Sequence, residues 1–145
     1  MDRRRDEIVQ LLSARGISRT AQRLAIAQFV LNSLDHPSAE EVFQAVSATL
    51  PVLSKATVYN TLNLLVREGL LGALNLQGGG VRYDPLLTPH SHFLDTQTNR
   101  LVDIPADRVR AVEHELDPAR YQVDEIQVIF RGRIRSEDAP PGPPD

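Results

Sequence analysis

Three consecutive glycines, Gly78 to Gly80, stand where the chain changes from helix-like to strand-like sequence. They join two short apolar runs, Leu70 to Leu76 and Val81 to Tyr83. A glycine-rich junction between two such runs is typical of a β-hairpin with a loose tip. Because this hairpin directly follows helical segments, it limits the first half of the chain to a helical domain that ends in a hairpin.

Four segments before the hairpin have helical periodicity, with apolar residues recurring every three or four positions. They are residues 6–14, 20–34, 38–50 and 54–69. Gly16 and Gly69 are stop signals after the first and fourth segments. Ser38 and Glu41 form the pattern of a capping box at the start of the third. Several helices followed by a hairpin is the order of a winged helix-turn-helix domain, which we expect over residues 1–83.

The second half of the chain alternates strand-like and helix-like segments behind a stiff connection. Pro85 and Pro89 bracket this connection, so residues 84–89 are predicted to be a hinge. We expect strands at 90–95 and 100–104 around a polar turn at 96–99, then a helix at 106–116 and a strand within 121–133. The predicted fold class is therefore α+β, with a small α/β dimerisation domain at 90–135 and a proline-rich disordered tail at 136–145. A unit this small has too little core to stand alone, which favours dimerisation.

The composition limits the possible chemistry and the location of the protein. The chain has no cysteine, which excludes disulfides, thiolate metal sites and thiol-based redox sensing. The sequence contains neither a long apolar run nor a signal peptide, so we expect a cytoplasmic protein. Residues 1–82 contain nine Lys/Arg and seven Asp/Glu, a net +2, whereas residues 83–145 contain seven and twelve, a net −5. Basic groups therefore lie where nucleic acid would bind, and carboxylates lie where a metal would bind.

The fourth helical segment presents phosphate donors and base-edge readers on the face away from its apolar stripe. The residues predicted to bind DNA are Lys55, Thr57, Tyr59, Asn60 and Asn63 on this segment, and Arg19 and Arg23 at the front of the second. The alternative is a solvated helix face with ordinary surface arginines. The hairpin directly behind the segment favours DNA binding.

Three histidines and two aspartates are candidate metal ligands. His90 and His92 are two positions apart, so on a strand their imidazoles point to the same face. Asp103 would come alongside them if the two strands pair through the turn at 96–99. Asp84 ends the hairpin, and His36 lies at a junction just before a proline. Imidazole nitrogens with carboxylate oxygens and no sulfur suit Fe(II) or Mn(II), with Zn(II) as a possible occupant.

Other interpretations of these residues exist. The aspartates can instead be a turn former at 84 and a strand-end charge at 103, and histidines are common on surfaces. His114 lies among charged neighbours in the predicted helix, and we assign it to the surface. Two histidines and a carboxylate also bind iron in non-haem oxygenases. Such an enzyme requires a long run of strands, whereas the first half of this chain is helical, so we do not expect an enzyme.

Six stretches of the chain together resemble the ferric uptake regulator superfamily, and most closely its peroxide-responsive branch. They are residues 16–23, 36–43, 54–62, 82–84, 90–93 and 101–104, in family order, within a resemblance that covers about residues 5–135. It implies a homodimer that binds a palindromic operator when metal is present. It also implies that His36, Asp84, His90, His92 and Asp103 form the regulatory site, and that the fourth helix, including Tyr59 and Asn60, contacts DNA.

The peroxide-responsive branch implies a specific sensing chemistry. Bound Fe(II) reacts with hydrogen peroxide and oxidises a ligand histidine, expected here at His36 or His90, so that DNA is released. An aspartate at 103 resembles the peroxide branch, whereas iron sensors tend to have glutamate, and Asn60 favours the same branch. The alternative within the family is a repressor that senses iron or manganese availability and tolerates peroxide.

Two departures from the family pattern are visible. Most relatives carry a structural zinc on two Cys-x-x-Cys pairs; here Asp95 and Thr98 occupy the first pair's positions and the second pair is missing. We therefore expect no structural zinc, and a dimer held by apolar packing and strand pairing. Pro89 and Ser91 stand where iron sensors have ligands of a second regulatory site. We expect one regulatory ion per protomer.

Overall fold

The computed structural model describes residues 3–110 and 114–135. The chain divides into two units, Met1–Thr88 and Pro89–Asp145. The first unit contains α1 (Arg5–Ala14), α2 (Ala21–Leu31), α3 (Ala39–Ser47), α4 (Lys55–Arg67), β1 (Gly72–Leu76) and β2 (Gly80–Asp84). The second contains β3 (His90–Asp95), β4 (Leu101–Pro105), one turn of 3-10 helix (Ala106–Arg108) and β5 (Ile129–Gly132). Within the described ranges, no helix is long and apolar enough to span a membrane.

Side-chain caps define where three helices begin. The hydroxyl of Thr20 accepts a hydrogen bond from the Arg23 amide at the start of α2, and that of Ser54 accepts one from the Thr57 amide at the start of α4. The predicted capping box of α3 is confirmed: the Glu41 amide donates to Ser38 Oγ, and the Ser38 amide donates to the Glu41 carboxylate. Each cap satisfies backbone N–H groups that have no partner inside the helix.

The second helix is shorter than the sequence predicted. We expected helix as far as Leu34, but α2 ends at Leu31 and Leu34 is largely exposed. The side-chain amide of Asn32 donates to the Gln28 carbonyl and caps the end of the helix. Beyond it the chain approaches Pro37, and the residue before a proline is sterically kept out of the helical region.

Buried aliphatic side chains from all four helices form the core of the first unit. The cluster comprises Ile8, Leu12, Ile17, Leu24, Ile26, Ala27, Val30, Leu31, Ala39, Val42, Val46, Leu53, Val58, Leu62, Leu65, Leu70, Leu71 and Tyr83. Strands β1 and β2 pair in antiparallel fashion, with Gly72 opposite Asp84. At the hairpin tip Gly78 and Gly80 have positive φ angles, a conformation that glycine adopts without steric cost. Four helices followed by this hairpin confirm the predicted winged-helix fold.

The second unit is a three-stranded sheet in the order β4-β3-β5. Strands β3 and β4 are antiparallel, as the sequence predicted, whereas β3 and β5 are parallel. Among the described residues of this unit, the buried apolar side chains are those of Leu94 and Leu101. Several of its larger apolar side chains are exposed: Leu116, Tyr121, Val123, Ile126, Phe130 and Ile134.

Two predicted elements of the second unit differ from the structure. The helix expected at 106–116 is wrong over the part of this range that the structure describes: residues 106–108 form one turn of 3-10 helix, whereas residues 109–110 and 114–116 are not helical. Residues 111–113 lie outside the described residues. A short helix is marginal unless its apolar face is buried, and Leu116 is exposed. The strand expected within 121–133 is present but shorter than its alternating pattern indicated. The observed strand β5 does not include Ile126, and Phe130 within it is exposed. The predicted tail at 136–145 lies outside the described residues.

Candidate metal centre and nucleic-acid interface

In the first unit, His36 and Asp84 form a buried pair. The His36 Nε2 atom lies 3.2 Å from Asp84 Oδ2, and both side chains are less than a tenth exposed. The other carboxylate oxygen, Asp84 Oδ1, accepts a hydrogen bond from the Leu86 amide at 2.9 Å. Asp84 is the last residue of β2, so the strand and the following turn together orient its carboxylate.

The backbone around His36 is held in an uncommon conformation. His36 has a φ angle of +51°, in the left-handed region that non-glycine residues seldom adopt. Two hydrogen bonds from β2 hold this loop: Arg82 Nε donates to the His36 carbonyl at 2.5 Å, and the Tyr83 amide donates to the Pro37 carbonyl at 3.0 Å. The structure therefore fixes the position of His36 from the same strand that carries Asp84.

In the second unit, His90, His92 and Asp103 come together on one face of the β3–β4 pair. His92 lies directly opposite Asp103 in the antiparallel register. Asp103 Oδ1 is 3.1 Å from His90 Nε2 and 3.4 Å from His92 Nε2, and one donor atom from each of the three residues lies within 4.8 Å of the others. The imidazoles are nearly buried, whereas the Asp103 side chain is 39% exposed. This arrangement is what the i, i+2 spacing and the turn at 96–99 predicted.

The donor atoms in both units are imidazole nitrogens and carboxylate oxygens. Fe(II) and Mn(II) accept such mixed nitrogen and oxygen ligands, and Zn(II) is compatible with them. A histidine-carboxylate contact can also be a simple ion pair. The three groups on the β3–β4 face fit a divalent cation better than they fit a simple ion pair. Their single carboxylate faces two imidazoles, which would otherwise compete for it.

The residues predicted to bind DNA lie on the first unit. Arg19 is exposed just before α2, and the half-buried Arg23 donates to the Ser18 carbonyl at 3.3 Å. Lys55 Nζ lies 3.1 Å from the Glu40 carboxylate and 5.5 Å from the centre of the Phe43 ring. Lys55 at the start of α4 is thus held by α3, in an ion pair whose members are both about half exposed.

The remaining predicted DNA contacts are on α4. Tyr59, Asn60 and Asn63 are exposed. Thr57 is half-buried, and its hydroxyl lies 2.9 Å from that of Ser54, so it takes part in the helix cap. Burial, and to a smaller extent the nearby Tyr59, raise the pKa of Tyr83 on β2.

Two buried polar residues have structural roles that were not predicted from the sequence. Arg82 supports the His36 carbonyl, and Asp95 accepts backbone hydrogen bonds at the end of β3. The sequence signal for Asp95 is its place before Thr96, Gln97 and Thr98, since an aspartate ahead of a polar turn commonly bonds the backbone of that turn. No comparable local signal exists for Arg82, whose partner is 46 residues away.

Comparison with known proteins places the chain in a family. A profile of the ferric uptake regulator family matches residues 14–131. The peroxide operon regulator of Bacillus subtilis is 32% identical over 97 residues, which cover 67% of each chain. The peroxide-responsive repressor PerR of Staphylococcus aureus is 32% identical over 108 residues, which cover 74% of this chain and 73% of the relative. The structure of the Helicobacter pylori ferric uptake regulator Fur, 16% identical, has the same fold, with a TM-score of 0.67 over 94% of this chain and 98% of that one. The chain therefore belongs to the ferric uptake regulator family, whose members are transcriptional regulators rather than enzymes.

Proposed function

We propose that this chain is a metal-dependent DNA-binding repressor that senses hydrogen peroxide through Fe(II)-catalysed oxidation of a ligand histidine. One Fe(II) or Mn(II) ion per protomer would be held by His36, Asp84, His90, His92 and Asp103. The observation that carries this proposal is that each of the two units brings histidine and aspartate donor atoms close together. His36 and Asp84 lie 3.2 Å apart in the first unit, and the other three ligands converge in the second.

Chain connectivity supports a shared ion. Asp84 ends β2 and His90 begins β3, so only residues 85–89 separate the two sets of ligands. A fully extended segment of this length spans at most about 20 Å. This short connection is compatible with one ion held by both sets, and such an ion would fix the angle between the units.

Metal dependence of DNA binding follows from thermodynamic linkage. An ion that binds the closed arrangement more tightly than the open one raises the population of the closed arrangement. If DNA binds that arrangement, metal and DNA each strengthen the binding of the other. The loss of one ligand weakens metal binding and removes the bias toward the DNA-binding state.

The sensing step would act on a ligand imidazole. Bound Fe(II) would catalyse transfer of one oxygen atom from hydrogen peroxide to a ring carbon of His36 or His90, with one water released. The protein's own contribution is to hold these imidazoles in place: Arg82 and Tyr83 fix the loop of His36, and strand pairing fixes His90. The peroxide-responsive relatives at 32% identity favour this function over metal sensing alone.

The partners would be a second copy of the chain and a palindromic duplex. The second unit leaves large apolar side chains exposed, among them Tyr121, Ile126 and Phe130. We propose that dimerisation in the cytoplasm covers such groups without a structural zinc, since the sequence offers no thiolate ligand. Two copies of α4, with Tyr59 and Asn60 exposed, would then read two half-sites.

Ligand variants in both units test whether one ion serves the whole site. Duplexes selected from a random pool in the presence of Mn(II) provide the DNA probe. His36→Ala and His92→Ala should each weaken Mn(II) binding by more than about tenfold, since even outer-shell groups contribute about 10- to 100-fold. Both should also abolish Mn(II)-dependent DNA binding, whereas His114→Ala, which removes an exposed histidine, should behave like wild type.

The double variant His36→Ala/His92→Ala separates one shared ion from two independent sites. If one ion is shared, the wild type binds one Mn(II) per protomer. The loss of Mn(II) affinity in the double variant then differs clearly from the sum of the losses in the two single variants. Two ions per protomer, with each single variant losing only one of them, would contradict the proposal. Wild-type DNA binding that does not respond to metal would also contradict it.

A further inference from the structure

Asp95, the last residue of β3, has a buried carboxylate that accepts three backbone hydrogen bonds. Asp95 Oδ1 accepts from the Gln97 amide at 2.9 Å and from the Thr98 amide at 3.1 Å. Asp95 Oδ2 accepts from the Ile134 amide at 3.0 Å. These bonds hold the pKa of the Asp95 carboxyl below its usual range, and the bond from the Ile134 amide has the largest effect. They do so because they favour the charged form of the carboxyl. One side chain thus joins the β3–β4 turn to the segment after β5.

The first carboxylate oxygen determines the shape of the β3–β4 turn. Residues 96–99 form a four-residue loop closed by the Asp95 amide, which donates to the Arg100 carbonyl at 2.8 Å. Asn99 leaves the loop with a φ of +62°, and its amide donates to the Asp95 carbonyl at 2.8 Å. Because loop length and turn geometry fix the register of a hairpin, the contacts of Asp95 fix which residues of β3 and β4 face each other.

That register decides where the metal ligands lie. In the observed pairing Leu94 lies opposite Leu101, and His92 lies opposite Asp103. Side chains alternate between the two faces of a strand, so a slip of one residue moves every side chain of that strand to the other face. A one-residue slip of β4 would therefore point Asp103 away from His90 and His92.

The second carboxylate oxygen holds the chain after β5 beside β3. It acts together with Thr96, whose amide and hydroxyl both donate to the Gly132 carbonyl, at 2.9 and 3.2 Å. At the other end of this parallel pair the His92 amide donates to the Val128 carbonyl at 3.1 Å. The ligand strand β3 is thus held between β4 and β5, and Asp95 bonds to the chain on both sides.

We infer that Asp95 is a positioning residue for the metal ligands of the second unit. Through Oδ1 it sets the register that places Asp103 against His90 and His92, and through Oδ2 it ties the segment after β5 to the same turn. The link to metal binding rests on the proposed function. The link to register stands on the hydrogen bonds alone and is measured without metal.

Two substitutions at Asp95 separate the two roles. In Asp95→Asn the amide oxygen still accepts from Gln97 and Thr98, but the amide nitrogen that faces the Ile134 N–H is a donor. In Asp95→Ala both sets of bonds are lost. Asp107→Asn is the matched control, because it removes one negative charge at an exposed position of the same unit.

The experiment combines NMR of the metal-free protein with Mn(II) titration in competition with a fluorescent chelator. Cross-strand NOEs between His92 and Asp103 report the register, and amide exchange at Gln97, Thr98 and Ile134 reports the three bonds. We expect Asp95→Asn to retain the NOEs, to lose protection at Ile134 alone, and to bind Mn(II) within about threefold of wild type. We expect Asp95→Ala to lose the NOEs and to bind Mn(II) at least about tenfold more weakly, as is usual for groups that orient ligands.

Three results would overturn the inference. The first is an Asp95→Ala protein that retains the register and wild-type Mn(II) affinity. The second is an Asp95→Asn protein that loses affinity although Gln97 and Thr98 stay protected, and this variant decides alone if Asp95→Ala does not fold. The third is an equal loss in Asp107→Asn, which would indicate net charge. Failure of the wild type to bind Mn(II) would instead refute the proposed function, and the NOEs would still decide the role of Asp95 in the register.

Discussion

Arg82 offers the sharpest test of how the first unit prepares its ligand. Its Nε donates to the carbonyl of His36, which has a φ of +51°. A non-glycine residue in this region costs about 1–2 kcal/mol, whereas a hydrogen bond from a charged donor contributes about 1.5–3 kcal/mol. The bond is therefore large enough to offset the strain. Without it, we expect the loop to relax and the His36 imidazole to lose its fixed place beside Asp84.

The substitution Arg82→Met tests this directly, because it keeps an unbranched side chain and removes the donor. If metal binding requires the ordered loop, the substitution weakens Mn(II) binding. The loss of binding free energy should be at most the free energy of the lost hydrogen bond. At about 1.4 kcal/mol per tenfold, a loss of about 1.5–3 kcal/mol corresponds to about a 10- to 150-fold weaker affinity. Arg67→Met, which removes an exposed arginine of the same unit, is the control.

The assay is Mn(II) titration together with thermal unfolding of the metal-free protein. We expect Arg82→Met to lower both the affinity and the unfolding temperature, since it also leaves the His36 carbonyl without this donor. An affinity within about twofold of wild type, or an equal loss in Arg67→Met, would refute the argument that Arg82 holds His36 in its ligand position.

Three further predictions concern other charged groups. Asp103→Glu should keep Mn(II)-dependent DNA binding but blunt release by peroxide, because the added methylene displaces a carboxylate that lies 3.1 Å from His90 Nε2; peroxide titration of the Fe(II)-loaded variant measures this, and unchanged sensitivity would contradict it. Because the pKa of Asp95 is lowered in the folded protein, its charge stabilises the fold above the unfolded-state pKa, and this contribution is lost as the pH falls through the folded-state pKa. The difference in unfolding temperature between wild type and Asp95→Asn should therefore narrow below about pH 4. A difference that stays constant with pH would argue against this role of the charge. Glu40→Gln should strengthen DNA binding by about two- to fivefold at low salt, since it releases Lys55 from a surface ion pair worth at most about 1 kcal/mol; fluorescence anisotropy at two salt concentrations measures this, and weaker binding would indicate that Glu40 positions Lys55 for DNA.

Features that depend on neighbours in the sequence were predictable. The capping box at Ser38 and the stop at Gly16 follow from contacts within one helical turn. The approach of Asp103 to His92 follows from a short hairpin, in which the i, i+2 spacing and a single turn set the geometry. The candidate metal ligands could likewise be predicted from the sequence, because their chemistry depends on residue type and spacing.

Features that depend on distant partners were not predictable. Arg82 meets the His36 carbonyl across 46 positions, and Asp95 meets the Ile134 amide across 39. Neither partner has a side-chain signal, because both are backbone groups. In the described part of residues 106–116 the predicted helix is wrong for a related reason: the periodicity was correct for a helix, but a helix also needs a distant surface that buries its apolar face, and Leu116 is exposed.

The central claim is best tested by anaerobic DNA binding with Fe(II) or Mn(II), before and after micromolar hydrogen peroxide, with mass spectrometry of the protein. The account predicts release of DNA with Fe(II) but not with Mn(II), together with one added oxygen atom on His36 or His90. Fe(II)-dependent binding that survives peroxide, with both histidines unmodified, would contradict it. That result would identify a repressor that senses iron or manganese availability.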